Sequence, residues 1–333
     1  MASTQSKSTQ ASSADGFAAS SALAAMCKAS SDPLRIDIVR VLSKESFGVQ
    51  ELASILGVPQ PGMSHHLKIL AKCGLLVTRR QGNSIFYRRA LLLDSESQSR
   101  LQSSLYTAID EISLPDDYSK RISEVYDERS LQSRNYFDRN VEKFAENQGM
   151  LCDLGQYLGN LLELLDVMQL PRKSQVLEVG PGQGLFLDEL AKRFDKIVAL
   201  DNSGEMLKLA KSRSTRRSDN IQFVNRSLDA YKISTQESFD AVVLNMVLHH
   251  MPSPQQALKK LGDILQVGGF LLIADLCSHN QEWARESCGD VWLGFDPKDV
   301  DEWAASAGFN VEQSLYLGLK NGFQIQLKLF RKY

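Results

Sequence analysis

Apolar residues recur with a helical period in the N-terminal third of the chain, and two short strand-like runs follow them. The predicted elements are helices over residues 33–42, 49–58 and 59–74, then strands over 75–77 and 85–87 about the turn Gln81-Gly82-Asn83. The apolar positions of the third helix are Met63, Leu67 and Leu70. Helix, short turn, helix and a closing hairpin is the order of a winged helix-turn-helix.

Further along, the pattern changes from helices alone to strands alternating with helices. Residues 91–167 are helical in pattern, and from residue 175 onward short apolar strands alternate with amphipathic helices, which is typical of a parallel α/β sheet. We therefore predict an α/β protein in four parts. These are a disordered tail over 1–19, a winged-helix DNA-binding domain over 20–95, a helical connector over 96–170, and a Rossmann-like domain with a seven-stranded sheet over 171–333.

Composition excludes several other classes of protein. Mean hydropathy is -0.23, and no apolar run approaches the roughly 18 residues that span a bilayer. The first 19 residues lack a basic segment followed by an apolar one, so we expect no secretory signal. Five scattered cysteines form no CxxC pair. We therefore expect no metal site, no disulfide framework, and a cytoplasmic location in which the cysteines act as small buried hydrophobes.

One short block of the chain is strongly basic. Between Leu52 and Leu93 there is no Asp or Glu, while six Lys and Arg residues lie there; with a net charge of -2 overall, the remainder carries -2 - 6 = -8. The polar positions of the third helix are small and able to hydrogen-bond, which suits the major groove. The predicted DNA-binding residues are Gln60, Ser64, His65, His66, Lys68, Arg79, Arg80 and Arg88. A basic helical domain that binds protein is the alternative, and the wing favours DNA.

The stretch SHHLKIL-x3-GLL within this block resembles the ArsR/SmtB family of winged-helix regulators. The resemblance covers about residues 20–95 and implies a homodimer on a pseudo-palindromic double-stranded operator. Metal-sensing members carry cysteines in the first helix of the motif. This chain has Phe47-Gly48-Val49-Gln50-Glu51 there, so no thiolate metal site is expected.

A glycine-rich turn carries the strongest chemical signal in the second half. The sequence QVLEVGPGQGLFLDELAKRFDKIVALD predicts a strand, a tight turn at Gly180, Gly182 and Gly184, a helix, and a second strand ending at Asp201. Glycines let the backbone approach a ligand closely, and an acid at the tip of the second strand can accept hydrogen bonds from a ribose diol. Both NAD and S-adenosylmethionine (SAM) fit these features. The motif has the form ExGPGxG instead of the GxGxxG of dinucleotide-binding proteins, which favours SAM.

The same stretch resembles motif I of class I SAM-dependent methyltransferases, and the similarity continues through residues 239–276 to the C-terminus. The pattern is similar to ubiquinone/menaquinone C-methyltransferase-like enzymes, and DVWLGF points to proteins that fuse them to an ArsR-type domain. The residues that the resemblance implies for SAM are Glu178, Gly180, Gly182, Gly184, Asp201, Asn202, Met206 and Asn245. The family usually has an Asp for the adenine amino group, and the acid nearest that position here, displaced by a residue or so, is Asp229. An aromatic helix over 133–146 either lids the cofactor or packs between domains.

Two functions remain open from the sequence. The chain is either a regulator whose pocket senses SAM or its demethylated product, or a small-molecule methyltransferase whose DNA-binding domain only controls its own gene. The sequence does not identify the catalytic residues. His249, His250 and Asn245 are candidates, because they lie at or just after the end of a strand near the predicted pocket.

Overall fold

The computed structural model describes residues 5–43, 45–81, 84–91, 96–213, 218–231 and 238–333. These form two compact units, Met1–Val125 and Tyr126–Tyr333. The division falls inside the helical segment for which the sequence predicts a separate connector over 96–170. None of the described helices is both long and apolar enough to cross a membrane.

The N-terminal unit is a winged helix. Its elements are α1 (Gln5–Ser30), α2 (Pro33–Val41), β1 (Phe47–Gly48), α3 (Val49–Leu56), α4 (Gln60–Lys72), β2 (Leu76–Gln81), β3 (Ser84–Arg89), α5 (Glu96–Asp110) and the start of α6 (Asp116–Asn140). The strands form a small antiparallel sheet in the order β1-β3-β2. The predicted helix-turn-helix and wing strands are therefore confirmed, while Gly82 and Asn83 of the wing turn lie outside the described residues.

Local sequence explains where these helices begin and end. Asp32 caps α2, since its carboxylate accepts a hydrogen bond from the Arg35 backbone N–H at 3.1 Å, and Pro33 occupies the first turn. Gly57 ends α3 in the left-handed conformation, with φ of +66°. The predicted inward positions Met63, Leu67 and Leu70 are fully buried, so α4 packs one face on the unit and leaves the other free.

The N-terminal tail differs from its prediction. A helix covers Gln5–Ser30, although the sequence predicts disorder through residue 19. The segment has one glycine and no proline, and its many alanines have a high helix propensity, so a polar composition did not by itself indicate disorder. At the end of this helix, Met26 and Ala29 are 1% exposed, whereas Cys27 is exposed, contrary to the expectation of a buried thiol.

The C-terminal unit is a three-layer α/β fold. After the end of α6 come α7 (Phe144–Leu151), α8 (Leu158–Val167), β4 (Gln175–Val179), α9 (Leu185–Arg193), β5 (Lys196–Asp201), α10 (Gly204–Arg213), β6 (Ile221–Asn225), β7 (Phe239–Asn245), α11 (Pro254–Ile264), β8 (Leu265–Leu276), α12 (Trp283–Cys288), α13 (Pro297–Ser306), β9 (Phe309–Gly318) and β10 (Gln324–Lys332).

The seven strands of this unit form one sheet in the order β6-β5-β4-β7-β8-β10-β9. The strands β4 to β8 are parallel, and β10 runs antiparallel between β8 and β9. The central strands are buried on both faces, as their mainly apolar sequences predict. Strand order reverses between β4 and β7, and the crevice at such a point is where open α/β sheets bind ligands.

Candidate functional site

A cavity opens at the carboxyl edge of the sheet, at the point where the strand order reverses. Its empty space is about 1030 Å³ when the open solvent at its mouth is counted. The wall comes from the glycine turn after β4, the ends of β5, β6 and β7, and the helices α6 and α7. The lining includes Phe137, Phe144, Val179, Gly180, Gly182, Asp201, Asn202, Met206, Arg226, Asp229, Met246, Val247, His250 and Gln256.

The glycine turn has the backbone that its sequence requires. Gly180, Gly182 and Gly184 have φ of +64°, +56° and +79°, which side chains other than hydrogen rarely tolerate. A Cβ on Gly180 would overlap Val247, and one on Gly182 would approach the Phe144 ring at 3.3 Å. The first two glycines therefore keep the cavity open, and they line it as the sequence predicts.

The third glycine has a different role. Gly184 does not line the cavity; a Cβ there would lie 3.1 Å from the backbone oxygen of Ala210 in α10. It is the residue before α9, and its N–H donates to the Pro181 oxygen at 2.9 Å. Gly184 therefore permits close packing of two helices instead of close approach to a ligand.

Asp201 lines the cavity at the end of β5. Its Oδ1 accepts a hydrogen bond from the Ser203 backbone N–H at 2.8 Å, and the Ser203 hydroxyl donates to Asp138 Oδ1 at 2.6 Å. Burial and, to a smaller extent, the nearby Asp138 carboxyl together raise the pKa of Asp201 to about 6, although the hydrogen bond from Ser203 acts to lower it. The carboxylate is thus held in place and able to accept hydrogen bonds from a ligand.

We expect cofactor affinity to fall below pH 6 because of this residue. A ribose diol donates to the ionised carboxylate, so binding favours the charged form, and with a pKa of about 6 most Asp201 is protonated at pH 5. Isothermal titration with S-adenosylhomocysteine should show affinity about tenfold weaker at pH 5 than at pH 7.5. In Asp201→Asn the ratio of the affinities at pH 7.5 and pH 5 should approach one. If this ratio is the same in the variant as in the wild type, another group is responsible for the pH dependence.

Glu178 lies inside the sheet and not on the cavity wall. It is 1% exposed, and its Oε2 has no hydrogen-bond partner among the described residues. Burial raises the pKa of this carboxyl to about 8. A buried carboxyl with a free oxygen next to the glycine turn fits a ligand that brings a hydrogen-bond donor, such as an amino group.

The raised pKa of Glu178 makes the ligand-free protein lose stability as pH increases. The folded state holds the proton up to about pH 8, whereas an unfolded Glu releases it near 4.3. Between these values stability should fall by up to about 1.4 kcal/mol per pH unit relative to Glu178→Gln. Urea unfolding of both proteins between pH 5 and 8 measures the difference. If the free energy of unfolding changes with pH in the same way in both proteins, Glu178 does not have the raised pKa.

The end of β7 contributes a polar and a strained residue. Asn245 Oδ1 accepts a hydrogen bond from the Tyr157 hydroxyl at 3.0 Å, and Asn245 does not line the cavity, which differs from the sequence prediction. The next residue, Met246, lines the cavity with φ of +54°. A left-handed methionine is strained, and such strain is common at binding sites.

The two candidate histidines have different surroundings. His249 is fully buried and absent from the cavity wall, while His250 lines it. Burial lowers the pKa of His249, but the carboxylates of Asp275 and Asp290 outweigh burial and raise the pKa to about 9. Burial and the neighbouring His249 lower the pKa of His250 well below its usual value.

Several wall residues were not predicted from the sequence. Tyr126, Ser130, Ser133 and Phe137 come from α6, and others follow the ends of β6 and β7. Those that follow strands could have been found, because residues just after the carboxyl ends of parallel strands meet at one edge. Tyr126 and Ser130 could not, since only packing decides which face of α6 meets the sheet. Ser133 and Phe137 belong to the segment 133–146, for which the sequence offers a lid over the cofactor as one of two alternatives.

The residues present fit SAM, the cofactor that the sequence predicts. Gly180 and Gly182 leave a cradle that any Cβ would fill, and Asp201 offers a carboxylate. Glu178 has an oxygen without a hydrogen-bond partner. Asn202 and Met206 also line the cavity, as predicted.

The winged helix exposes four of its eight predicted DNA-binding residues, and the other four are half-buried. Gln60, His65 and Lys68 are exposed on α4, with Ser64 half-buried between them. In the wing, Arg80 is exposed, and Arg79 and Arg88 are half-buried. The exposed face of α4 and the wing thus carry the basic and hydrogen-bonding groups that phosphates and base edges require.

His66 lies closer to the start of α2 than the other predicted DNA-binding residues of α4. Its Nδ1 lies 3.9 Å from Asp32 Oδ1, and its side chain is only 21% exposed. It therefore packs toward the start of α2, away from the exposed stripe that contains Gln60, Ser64 and Lys68. Neighbouring positions on a helix are turned by about 100°, so the side chains of His65 and His66 point in different directions.

Comparisons with known proteins agree with both units. Residues 32–77 match the family model for bacterial regulatory proteins of the arsR family, and residues 177–273 match a methyltransferase domain. The chain is 24% identical over 201 residues to ubiquinone biosynthesis O-methyltransferase of Xanthomonas axonopodis pv. citri, covering 54% of this chain and 84% of that protein.

Two further similarities concern the same half of the chain. It is 28% identical over 158 residues to tRNA 5-carboxymethoxyuridine methyltransferase of Escherichia coli K12, covering 45% of this chain and 59% of that one. Magnesium protoporphyrin IX methyltransferase from Synechocystis PCC 6803, solved with bound S-adenosylhomocysteine, aligns with a TM-score of 0.50 at 13% identity, covering 62% of this chain and 100% of that one. The last likeness concerns the fold alone.

Proposed function

We propose that this chain, which contains an ArsR-family helix-turn-helix domain and a methyltransferase domain, is a DNA-binding transcriptional regulator whose C-terminal unit binds SAM and methylates a small molecule. The observation that carries the proposal is the cavity at the carboxyl edge of the sheet. It combines a glycine cradle and an acidic strand tip with an apolar wall.

The cofactor would be held by residues on both sides of β4. Gly180 and Gly182 would admit the methionine part close to the backbone, and Asp201 would accept hydrogen bonds from the ribose hydroxyls. Glu178 would accept from the amino group or an ordered water. When bound, SAM supplies an electrophilic methyl group on a sulfonium.

The rest of the cavity suits an apolar acceptor. Phe137, Phe144, Val247 and Met251 supply ring and aliphatic surface around the opening. Methyl transfer depends mainly on alignment of the two reactants and on a dry site, and apolar side chains of this kind would help to exclude water. One relative is named as a ubiquinone biosynthesis O-methyltransferase and another as a tRNA 5-carboxymethoxyuridine methyltransferase. Because the wall is largely apolar, we favour a hydroxyl acceptor on a small apolar molecule.

Regulation by the bound ligand is the second part of the proposal. Ser133 and Phe137 of the cavity wall belong to α6, and the same helix begins at Asp116, within the N-terminal unit. A ligand that orders this helix would affect both units. Any such coupling is reciprocal: DNA must change the affinity for SAM by the same factor by which SAM changes the affinity for DNA.

A homodimer in the cytoplasm completes the proposal. Winged-helix regulators of this kind bind two half-sites, and the separation of the half-sites reflects the two-fold symmetry of the protein. We expect a pseudo-palindromic operator whose half-sites lie roughly 10 base pairs, or a multiple of that, apart.

The deciding experiment measures DNA affinity with and without ligand. Fragments upstream of the gene are titrated with the full chain at fixed salt, alone and with saturating SAM or S-adenosylhomocysteine. A several-fold shift supports a ligand-responsive regulator. No shift, with ligand binding demonstrated, would limit the DNA-binding unit to control of its own gene. Turnover of SAM with hydroxylated aromatic acceptors tests the catalytic part separately.

A further inference from the structure

Four titratable side chains meet inside the C-terminal unit, beside the cavity. We call them the His–Asp cluster: His249 and His250 follow β7, Asp275 lies in β8, and Asp290 follows α12. All are buried, with exposures of 0%, 7%, 0% and 3%. One ring nitrogen of each histidine and one carboxylate oxygen of Asp290 lie within 4.8 Å of one another.

The cluster contains polar atoms without hydrogen bonds. Among the described residues, Nε2 of His249, Nε2 of His250 and both carboxylate oxygens of Asp290 are buried and have no hydrogen-bond partner. Leaving one such atom buried and unbonded costs about 1–3 kcal/mol, and more when the group is charged. Four of them on three neighbouring side chains point to a missing partner that bonds several at once.

Asp275 orients one of the rings. The distance between His249 Nδ1 and Asp275 Oδ1 is 2.8 Å, so the ring N–H donates to the carboxylate. The other carboxylate oxygen of Asp275 accepts from the His249 backbone N–H at 3.3 Å. A carboxylate on one ring nitrogen is the usual support for a histidine whose other nitrogen binds a metal ion.

We propose that His249, His250 and Asp290 bind a divalent transition-metal ion of the Zn²⁺ type. Two imidazole nitrogens and one carboxylate oxygen suit Zn²⁺ and its neighbours, whereas Mg²⁺ and Ca²⁺ require mostly oxygen ligands. His249 Nε2 lies 3.6 Å from Asp290 Oδ1. Two ligands bound at about 2.0–2.2 Å in a tetrahedron are roughly 3.4 Å apart, so little movement is needed.

Charge supports a cation at this place. Asp275 and Asp290 are two buried carboxylates next to two imidazoles, and a divalent ion would balance both of them. Three protein ligands leave a fourth position for a water or another ligand, and one of the three, His250, also lines the cavity. The proposed metal site does not depend on methyl transfer, since metal binding can be measured without SAM.

The test is a metal titration of the full chain. Protein stripped with a chelator is titrated with Zn²⁺ and, separately, with Co²⁺, whose visible absorption reports tetrahedral nitrogen and oxygen ligands. We expect one equivalent of metal. Asp290→Asn and His250→Gln should each weaken binding at least tenfold, and Asp275→Asn about 10- to 100-fold. His279→Gln, which changes a histidine outside the cluster, should bind like the wild type.

Several results would overturn the site. One is no binding of Zn²⁺ or Co²⁺ by the wild type. Another is unchanged binding in both Asp290→Asn and His250→Gln. A third is loss of metal binding in the double variant Cys152→Ser/Cys288→Ser while Asp290→Asn binds the metal normally, which would mean that thiols are the ligands. If a cluster variant fails to fold, the other variant and the wild-type Co²⁺ spectrum decide. Binding of S-adenosylhomocysteine, measured on the same samples, separates failure here from failure of the proposed function.

Discussion

Replacing Asp201 by alanine is expected to weaken the binding of SAM at least about 100-fold. A hydrogen bond to a charged group contributes about 1.5–3 kcal/mol, and a ribose diol offers two. The carboxylate is already fixed by the Ser203 backbone N–H, so its loss is not replaced by another acceptor in the same place. Isothermal titration with SAM and with S-adenosylhomocysteine gives the two affinities.

The control for this prediction is Asp263→Ala, which removes an exposed carboxylate of α11 in the same unit. It should bind both ligands like the wild type. Circular dichroism should show that each variant is folded. If Asp201→Ala binds normally while Asp229→Ala does not, the ribose is held at the end of β6 and the assignment from the strand tip is wrong.

Removing Lys68 and Arg80 together should weaken DNA binding by about 10- to 100-fold and make it less dependent on salt. Both side chains are exposed, one on α4 and one in the wing. Each phosphate contact contributes about 0.9 to the slope of log affinity against log salt. The slope should therefore decrease by about 2 in Lys68→Ala/Arg80→Ala, and by a similar amount for specific and non-specific fragments.

A matched pair of changes tests whether position or charge alone matters. Lys173→Ala/Lys196→Ala removes the same charge from exposed positions of the methyltransferase unit. Fluorescence anisotropy over a series of salt concentrations should give the wild-type slope for this control. Equal losses in both double variants would mean that DNA responds to overall charge, and the α4 and wing interface would be withdrawn.

The sequence was sufficient where function depends on a local pattern. A helical period with three apolar positions identified α4, and a glycine turn followed 21 residues after Gly180 by Asp201 identified the cavity edge. In both cases one stretch of chain contains the whole signal. The seven-stranded sheet follows from the same alternation of strands and helices.

The sequence was insufficient where residues from distant parts of the chain meet. Asp290 lies 40 residues after His250, in a loop whose apolar motif gave no reason to expect an acid near the histidines. The search for metal ligands relied on closely spaced cysteines, and it could not find a cluster built from β7, β8 and α12. Gly184 and Asn245 do not line the cavity, and a motif could not show this, since it gives the position of a residue along the chain but not its neighbours.

Helix α6 has a consequence for how such a protein could have arisen. The segment that matches a methyltransferase domain starts at residue 177, yet Phe137 and Phe144 form part of the cavity wall. A gene fragment cut near residue 171 would encode the whole sheet but an incomplete pocket. Recombination that preserves ligand binding must therefore keep α6 from Tyr126 onward together with the sheet that follows it, and residue 126 is where the second compact unit begins.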